Sequence, residues 1–161
     1  MLTPTEYERI HLPMSNAKDI RNALKNQLGL TSQDVSVRSS RGAIRVEIKI
    51  PTAKGPIEEI ARMAEHVDRC EFSGEILAGG NTFVFVDYSD SALDGIVDVA
   101  AIEALGDDGD CLTLDRVQID RDDSGGFVVW DIVEESGVAH RVWGATHAAR
   151  TAAQILLGRA A

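Results

Sequence analysis

Two short stretches in the first third of the chain alternate strictly between apolar and polar residues. Val35–Arg38 and Ala43–Ile50 both show this period of two, and Ser39–Gly42 between them contains turn-forming residues. A period of two predicts a strand with one buried and one exposed face, and the turn between the strands predicts a hairpin. The predicted buried face consists of Val35, Val37, Ile44, Val46, Ile48 and Ile50.

In the segments before and after this hairpin, the apolar residues have helical spacing. The pattern predicts a helix over Ser15–Leu28, capped by its first residue and ended by Gly29, and a second helix over Pro56–Asp68. Thr82–Tyr88 is rich in β-branched and aromatic residues, which is typical of a strand. A third helix, with Ser91 as its cap, is predicted over 91–105. The order up to Tyr88 is therefore an α-β-β-α-β unit.

The last third predicts an antiparallel sheet and a helix. Turn-forming residues separate three apolar stretches, and Gly158 follows a final helical pattern. The predicted strands are Leu112–Asp120, Phe127–Val133 and Val138–Trp143, and the helix is Thr146–Leu157. The fold class is thus α+β: an N-terminal α-β-β-α-β unit, then a three-stranded antiparallel sheet with a C-terminal helix. Gly106–Asp110 predicts a boundary between units 1–106 and 107–161, which could also pack as one domain.

Length and composition predict a cytoplasmic protein without a membrane partner. The 161 residues are 44% apolar, which is enough for a core, and no apolar run approaches the length of a membrane span. The start of the chain lacks the basic and apolar segments of a secretory signal. Cys70 and Cys111 lie outside any CxxC spacing, so we expect reduced, partly buried thiols and neither a zinc site nor a disulfide.

The net charge of −10 is distributed unevenly. Residues 1–50 carry 8 basic and 5 acidic side chains, residues 51–100 carry 3 and 10, and residues 101–161 carry 5 and 11. The first third could face an anion, whereas the rest would repel one. The total argues against a nucleic-acid binder of the ordinary type, because affinity for phosphates comes mainly from Lys and Arg. The negative net charge is compatible with an acidic surface that docks on a basic protein.

The polar face of the hairpin is the first candidate binding surface. It carries Arg38, Arg41, Arg45 and Lys49. An arginine at the tip of the turn could bind a phosphate or a carboxylate through two hydrogen bonds. The competing interpretation is a solvated strand face whose charges discourage edge pairing.

Three segments resemble the large polyvalent protein-associated domain 29 group. They are Gly29–Val46, Arg69–Glu71 and Gly74–Val84, and the resemblance covers residues 16 to about 90. Domains of this group occur in large proteins of phages, plasmids and integrative elements, and are thought to help incoming DNA survive host defences. The resemblance implies an accessory protein of a mobile genetic element. It implies no catalytic residues, because no catalytic motif is established for the group.

Acidic loops of the last third are the second candidate surface. The residues concerned are Asp120, Asp122, Asp123, Glu134 and Glu135. Such an array could compete with nucleic acid for a basic protein of a host defence system, although solubility alone would explain it. A calcium loop at 120–126 is weakened by Arg121 and by the missing distal glutamate.

No arrangement in the sequence predicts catalysis. The four histidines are scattered, and no nucleophile, paired carboxylates or metal ligands have a recognisable spacing. We therefore expect a non-enzymatic protein without cofactor or metal. Its expected partner is a host or element-encoded protein bound through the acidic surface. The alternative is a nucleic-acid-binding module that uses the basic hairpin, residues 38–49. The sequence predicts neither the identity of the partner nor the oligomeric state.

Overall fold

The computed structural model of the chain describes residues 16–76, 80–106, 110–133 and 139–158. Within these residues the protein is mixed α+β, with five helices and two sheets of three and four strands. The helices are α1 (Ala17–Leu28), α2 (Lys54–Arg62), α3 (Asp90–Leu93), α4 (Val99–Glu103) and α5 (Ala145–Gly158). The strands are β1 (Val35–Ser40), β2 (Ala43–Ile48), β3 (Phe83–Tyr88), β4 (Cys111–Leu114), β5 (Val117–Arg121), β6 (Phe127–Asp131) and β7 (Ala139–Val142).

Two compact units make up the chain. Among the described residues, the first unit contains 16–47 together with 56–76 and 80–87, and the second contains 48–55 together with those from 88 onward. The boundary predicted at residues 106 and 107 stays a prediction, since 107–109 lie outside the described ranges.

Local hydrogen bonds explain the two ends of α1. The side chain of Asn16 accepts hydrogen bonds from the backbone N–H groups of Lys18 and Asp19, at 2.9 and 3.1 Å, and so caps the first turn. Ser15, the predicted cap, lies outside the described residues. Gly29 adopts a left-handed backbone conformation with φ of 70° and ends the helix, as predicted. The helix buries Ala17, Ile20 and Leu24 on one face.

The sheet of the first unit has the order β1-β2-β3. Its predicted buried face is confirmed for five of six positions, because Val35, Val37, Ile44, Val46 and Ile48 are buried, whereas Ile50 lies beyond the end of β2 and is half-buried. The carbonyl of Gly42 accepts from the N–H of Phe83 at 2.9 Å, and the carbonyl of Ile48 accepts from the N–H of Ser89 at 2.8 Å. In these two hydrogen bonds the residue numbers of both partners increase in the same direction along the strands. The strand β3 therefore runs parallel to β2, and α2 lies in the crossover between them.

The second unit contains an antiparallel sheet with the order β4-β5-β6-β7. One face packs against α5, which buries several small side chains and therefore approaches the sheet closely. Buried residues of this core include Ile102, Val117, Ile119, Phe127, Val129, Ala148, Ala152 and Ala153.

The prediction of three strands in this sheet was wrong, because the segment Leu112–Asp120 forms two strands. Leu114 pairs with Val117, so Asp115 and Arg116 form a two-residue turn. Asp115 has a φ of 50°, a left-handed conformation that aspartate tolerates better than most residues. The pair Asp115-Arg116, which interrupts the alternation of apolar and polar residues, therefore marks this hairpin.

Two helix predictions also need correction. The predicted helix over 91–105 is divided into α3 and α4, with Gly95 at a φ of 80° between them and Asp98 as the cap of α4. Ser89, rather than Ser91, occupies the N-cap position of α3. In addition, α2 spans Lys54–Arg62 instead of Pro56–Asp68. Beyond Arg62 the chain turns, and His66 forms an isolated bridge with Thr82.

The two cysteines are free thiols. Cys70 is partly buried, as predicted, but Cys111 is exposed because its side chain lies on the solvent-exposed side of β4. No helix within the described ranges is long and apolar enough to cross a lipid bilayer.

Candidate functional site

The polar face of the first sheet is open to solvent. Arg38 of β1 and Arg45 of β2 are exposed, and they alternate with buried valine and isoleucine residues. Phe85 of β3 lies on the same face, since Val84 and Val86 on either side of it are buried. The period of two in each strand thus places both arginines and an aromatic ring on one surface, which we call the open face.

Arg45 and Phe85 form the centre of the open face. The guanidinium carbon of Arg45 lies 5.3 Å from the centroid of the Phe85 ring, and 45% of Phe85 is exposed. This geometry is a cation–π contact, which contributes about 0.5–1 kcal/mol at an exposed site. The strands β1 and β2 are joined by the two-residue turn Arg41-Gly42, and counting outward from this turn places Arg38 opposite Arg45. The three side chains therefore form a row across the three strands.

The tip of the hairpin presents a further arginine. Arg41 is exposed, and among the described residues it has neither a hydrogen bond nor an ion pair. Gly42 beside it has a φ of 74°, and an added Cβ would lie 3.2 Å from the carbonyl oxygen of Asn81. Glycine at this position thus allows both the turn and the close approach of the loop that precedes β3.

Lys49, the fourth predicted residue of the basic hairpin, follows the end of β2. It is half-buried and belongs to the second unit. Of the predicted basic residues, the structure therefore brings Arg38, Arg41 and Arg45 together in the first unit.

The acidic residues of the β5–β6 turn are held by local contacts. Asp122 accepts hydrogen bonds from the backbone N–H and the hydroxyl of Ser124, both at 2.9 Å. Its other carboxylate oxygen lies 2.7 Å from Nε of Arg141. The hydrogen bonds from Ser124, assisted by the Arg141 guanidinium, hold the pKa of Asp122 below its usual value. Asp122 therefore shapes the turn and leaves little charge for a partner.

The other predicted acidic residues do not assemble into one surface. Asp120 accepts a hydrogen bond from Nε2 of Gln118 at 2.8 Å and is half-buried. Asp123 is exposed. Glu134 and Glu135 lie outside the described residues.

The lowered pKa of Asp122 predicts a specific loss of stability in acid. A carboxyl group whose folded pKa lies below its unfolded pKa of about 3.9 stabilises the fold above that value, and its contribution disappears as the pH falls through the folded pKa. We expect Asp122→Asn to have a lower melting temperature than the parent at pH 7, with a difference that shrinks below about pH 4. Asparagine can still accept from Ser124, so this comparison isolates the charge.

Melting temperatures measured across this pH range would check the prediction. Asp123→Asn is the matched control, because the neighbouring Asp123 is exposed and its melting temperature should follow that of the parent at every pH. A difference for Asp122→Asn that does not change with pH would contradict the assignment.

Phe85 is the residue of the candidate surface that sequence reasoning missed. The segment Thr82–Tyr88 alternates Phe with Val, so the sequence did contain a signal that the two phenylalanines share one face. The prediction assigned the segment as a strand and named no buried or exposed face for it.

Within the described ranges, no three His, Cys, Asp or Glu side chains lie close enough together to hold a metal ion. Comparison of the chain with known protein families, with curated proteins and with solved structures gives no match.

Proposed function

We propose that the protein is a non-enzymatic binding protein whose open face binds single-stranded nucleic acid. The observation that supports the proposal is the contact of Arg45 with the exposed ring of Phe85, beside Arg38. Proteins that bind single strands commonly combine aromatic side chains, on which bases stack, with basic side chains that follow the phosphates. Arg38, Arg41 and Arg45 would supply the charge, and Phe85 would supply the stacking surface.

A single strand fits this surface better than a duplex. The flat faces of bases are accessible in a single strand, whereas they are stacked on one another in a duplex. Stacking on one aromatic ring requires no particular base, so we expect binding with little sequence preference.

Acidic residues limit the length of strand that can bind. Glu47 follows Arg45 on β2 and Asp87 follows Phe85 on β3, and both acidic side chains are exposed. Because these strands are parallel, the two carboxylates occupy the same end of the sheet, away from the hairpin tip. They would repel phosphates there, so the strand should lie over the half of the open face nearest Arg41. The net charge of −10 further predicts modest affinity, and contacts of the three arginines with phosphates predict that this affinity falls as the salt concentration rises.

Removal of the aromatic ring tests this proposal. Loss of stacking on one aromatic residue weakens binding by about 1–3 kcal/mol, so Phe85→Ala should bind roughly 5- to 150-fold more weakly than the parent. The probe is a fluorescently labelled oligothymidine of about 10 nucleotides, within the usual site size for one small domain. Fluorescence anisotropy at low salt gives the dissociation constant. Arg38→Ala combined with Arg45→Ala should abolish binding in the same assay.

Matched controls separate the open face from general changes of charge and aromatic content. Lys18→Ala removes one positive charge from α1, and Trp143→Ala removes an aromatic ring that is 65% exposed in the second unit. Both controls should bind within about twofold of the parent, because neither residue lies on the open face. Equal binding by Phe85→Ala and the parent would refute the proposal.

The resemblance to the polyvalent-associated group supports a setting for this activity. We place the protein in the cytoplasm of a bacterial host, as an accessory protein of a phage, plasmid or integrative element. There it would bind transferred single-stranded DNA, or RNA, while host defences act.

A protein component of a host defence system is the second candidate partner, and exposed Asp123 is the observation that favours it. Affinity capture from bacterial lysate with and without nuclease distinguishes the two candidates. One stoichiometric basic protein that survives nuclease, and that Asp123→Ala releases, would favour protein binding. Capture that nuclease abolishes would favour the open face.

A further inference from the structure

A closed loop in the first unit presents a fully exposed phenylalanine. The backbone N–H of Cys70 donates to the carbonyl of Glu75 at 2.8 Å, and that of Gly74 donates to the carbonyl of Cys70 at 2.9 Å. Phe72 at the tip is 99% exposed. A large aromatic side chain in this position gains nothing for the fold of its own chain, and such residues are enriched in the cores of protein interfaces.

Further contacts close the base of the loop. Nη1 of Arg69 donates to the carbonyl of Gly74 at 3.2 Å, and Arg69 also forms a bridge with Ile76. Glu71 precedes Phe72 in the chain and Glu75 follows it by three positions, and both are exposed. The loop therefore offers an apolar tip with two negative flanks at a small cost in conformational entropy.

A pocket elsewhere in the first unit has complementary properties. Its volume is about 290 Å³, and an apolar cavity of about 150 Å³ is known to hold a benzene ring. Its lining is mixed: four residues are apolar, Arg21 and Lys25 are basic, and Asn22, Thr31 and Ser32 are polar. The lining includes Arg21, Leu24, Lys25, Leu30, Val35 and Val37.

We propose that this pocket receives the Phe72 loop of a second copy of the chain. The phenyl ring would pack against Leu30, which is half-buried, and against the small exposed parts of Leu24, Val35 and Val37. Glu71 and Glu75 would meet Arg21 and Lys25, so that shape and charge agree at the same contact. The partner in this proposal is the chain itself, independent of the nucleic acid that binds the open face.

The contact predicts a weak, reversible dimer. In a two-fold arrangement each copy inserts its own Phe72, and the same contact occurs twice. Two buried phenylalanine rings still give less than the roughly 800 Å² per partner of a standard stable interface. We therefore expect a dissociation constant in the micromolar range or weaker, on the order of 10⁻⁶–10⁻⁴ M.

Sedimentation equilibrium of the purified chain tests this inference. The parent should change from monomer to dimer with rising concentration, and Phe72→Ala should weaken this association at least 10-fold. Because Phe72 is fully exposed, its replacement leaves the fold intact. Met63→Ala is the matched control, since Met63 is also exposed and apolar but lies outside the loop and the pocket.

Exchange of charges adds a specific signature. Lys25→Glu and Glu71→Lys should each weaken the association, and the two changes combined should restore it, because the pair of opposite charges is rebuilt. A parent that stays monomeric up to millimolar concentration would overturn the proposal. Association that is unaffected by Phe72→Ala would do so as well, because the copies would then meet through another face.

Discussion

Replacement of Asp131 by alanine is expected to destabilise the second unit by about 3–5 kcal/mol. The side chain of Asp131 is 7% exposed and that of Arg116 is 18% exposed. Nη2 of Arg116 lies 2.9 and 2.8 Å from the two carboxylate oxygens, and Nε lies 3.2 Å from the first of them. Asp131 also accepts from the backbone N–H of Val133 at 3.2 Å. Removal of the carboxylate leaves a largely buried guanidinium without its partner, which is the main source of the loss.

The two tryptophans make this prediction measurable. Trp130 and Trp143 are the only tryptophans of the chain, and both belong to the second unit. Tryptophan fluorescence during denaturant unfolding therefore reports on the unit that contains the ion pair. As a control, Arg116→Met combined with Asp131→Leu should be far less destabilising than Asp131→Ala, because no unpaired charge remains. A loss below about 1 kcal/mol for Asp131→Ala would show that the pair is well solvated.

Patterns of neighbouring residues predicted the first unit well. Alternation in Val35–Arg38 and Ala43–Ile50 identified both strands of the hairpin and nearly all of their buried face, and Gly29 identified the end of α1. These features depend on interactions between residues that are close in sequence, where periodicity and turn chemistry are informative.

Two of the errors lie where one residue changes the direction of the chain. Asp115 takes a left-handed conformation and divides one predicted strand into two, and Gly95 divides one predicted helix into two short ones. Aspartate is depleted in strands and glycine is a poor helix former, so each residue disfavoured the longer element, whereas the apolar residues around it favoured continuity. Packing of Leu93, Val97 and Ile102 into the same core requires the break in the helix, and sequence spacing does not reveal that requirement.

The candidate site was predictable in part. Exposure of Arg38, Arg41 and Arg45 followed from the hairpin, but their combination with Phe85 depends on the pairing of strands that are about 40 positions apart in the chain. The predicted acidic surface did not form, and here the cause is local. The carboxylate of Asp122 is bound by Ser124 and Arg141. A count of acidic residues in the sequence, by contrast, assumes that every carboxylate is available to a partner.

Truncation of Ile119 should cause the second large loss of stability. This residue is fully buried at the centre of β5, where it pairs with Leu112 of β4 and Val129 of β6. Ile119→Ala removes buried methyl and methylene groups and leaves a cavity beneath α5, so we expect a loss of about 2–5 kcal/mol. Ile119→Val should lose only about 0.5–1.5 kcal/mol. Tryptophan fluorescence during denaturant unfolding again measures the second unit.

Thr113→Ala is the control that ties this prediction to the four-stranded sheet. Thr113 is exposed on β4, and its pairing with Gln118 places it on the face opposite Ile119. A substitution there should change stability by no more than about 0.5 kcal/mol. Similar losses for Thr113→Ala and Ile119→Ala would mean that both faces are covered, which contradicts a sheet that is buried on one side only. A large loss for Ile119 alone would support a sheet buried on one side, with the turn at Asp115 setting which residues point inward.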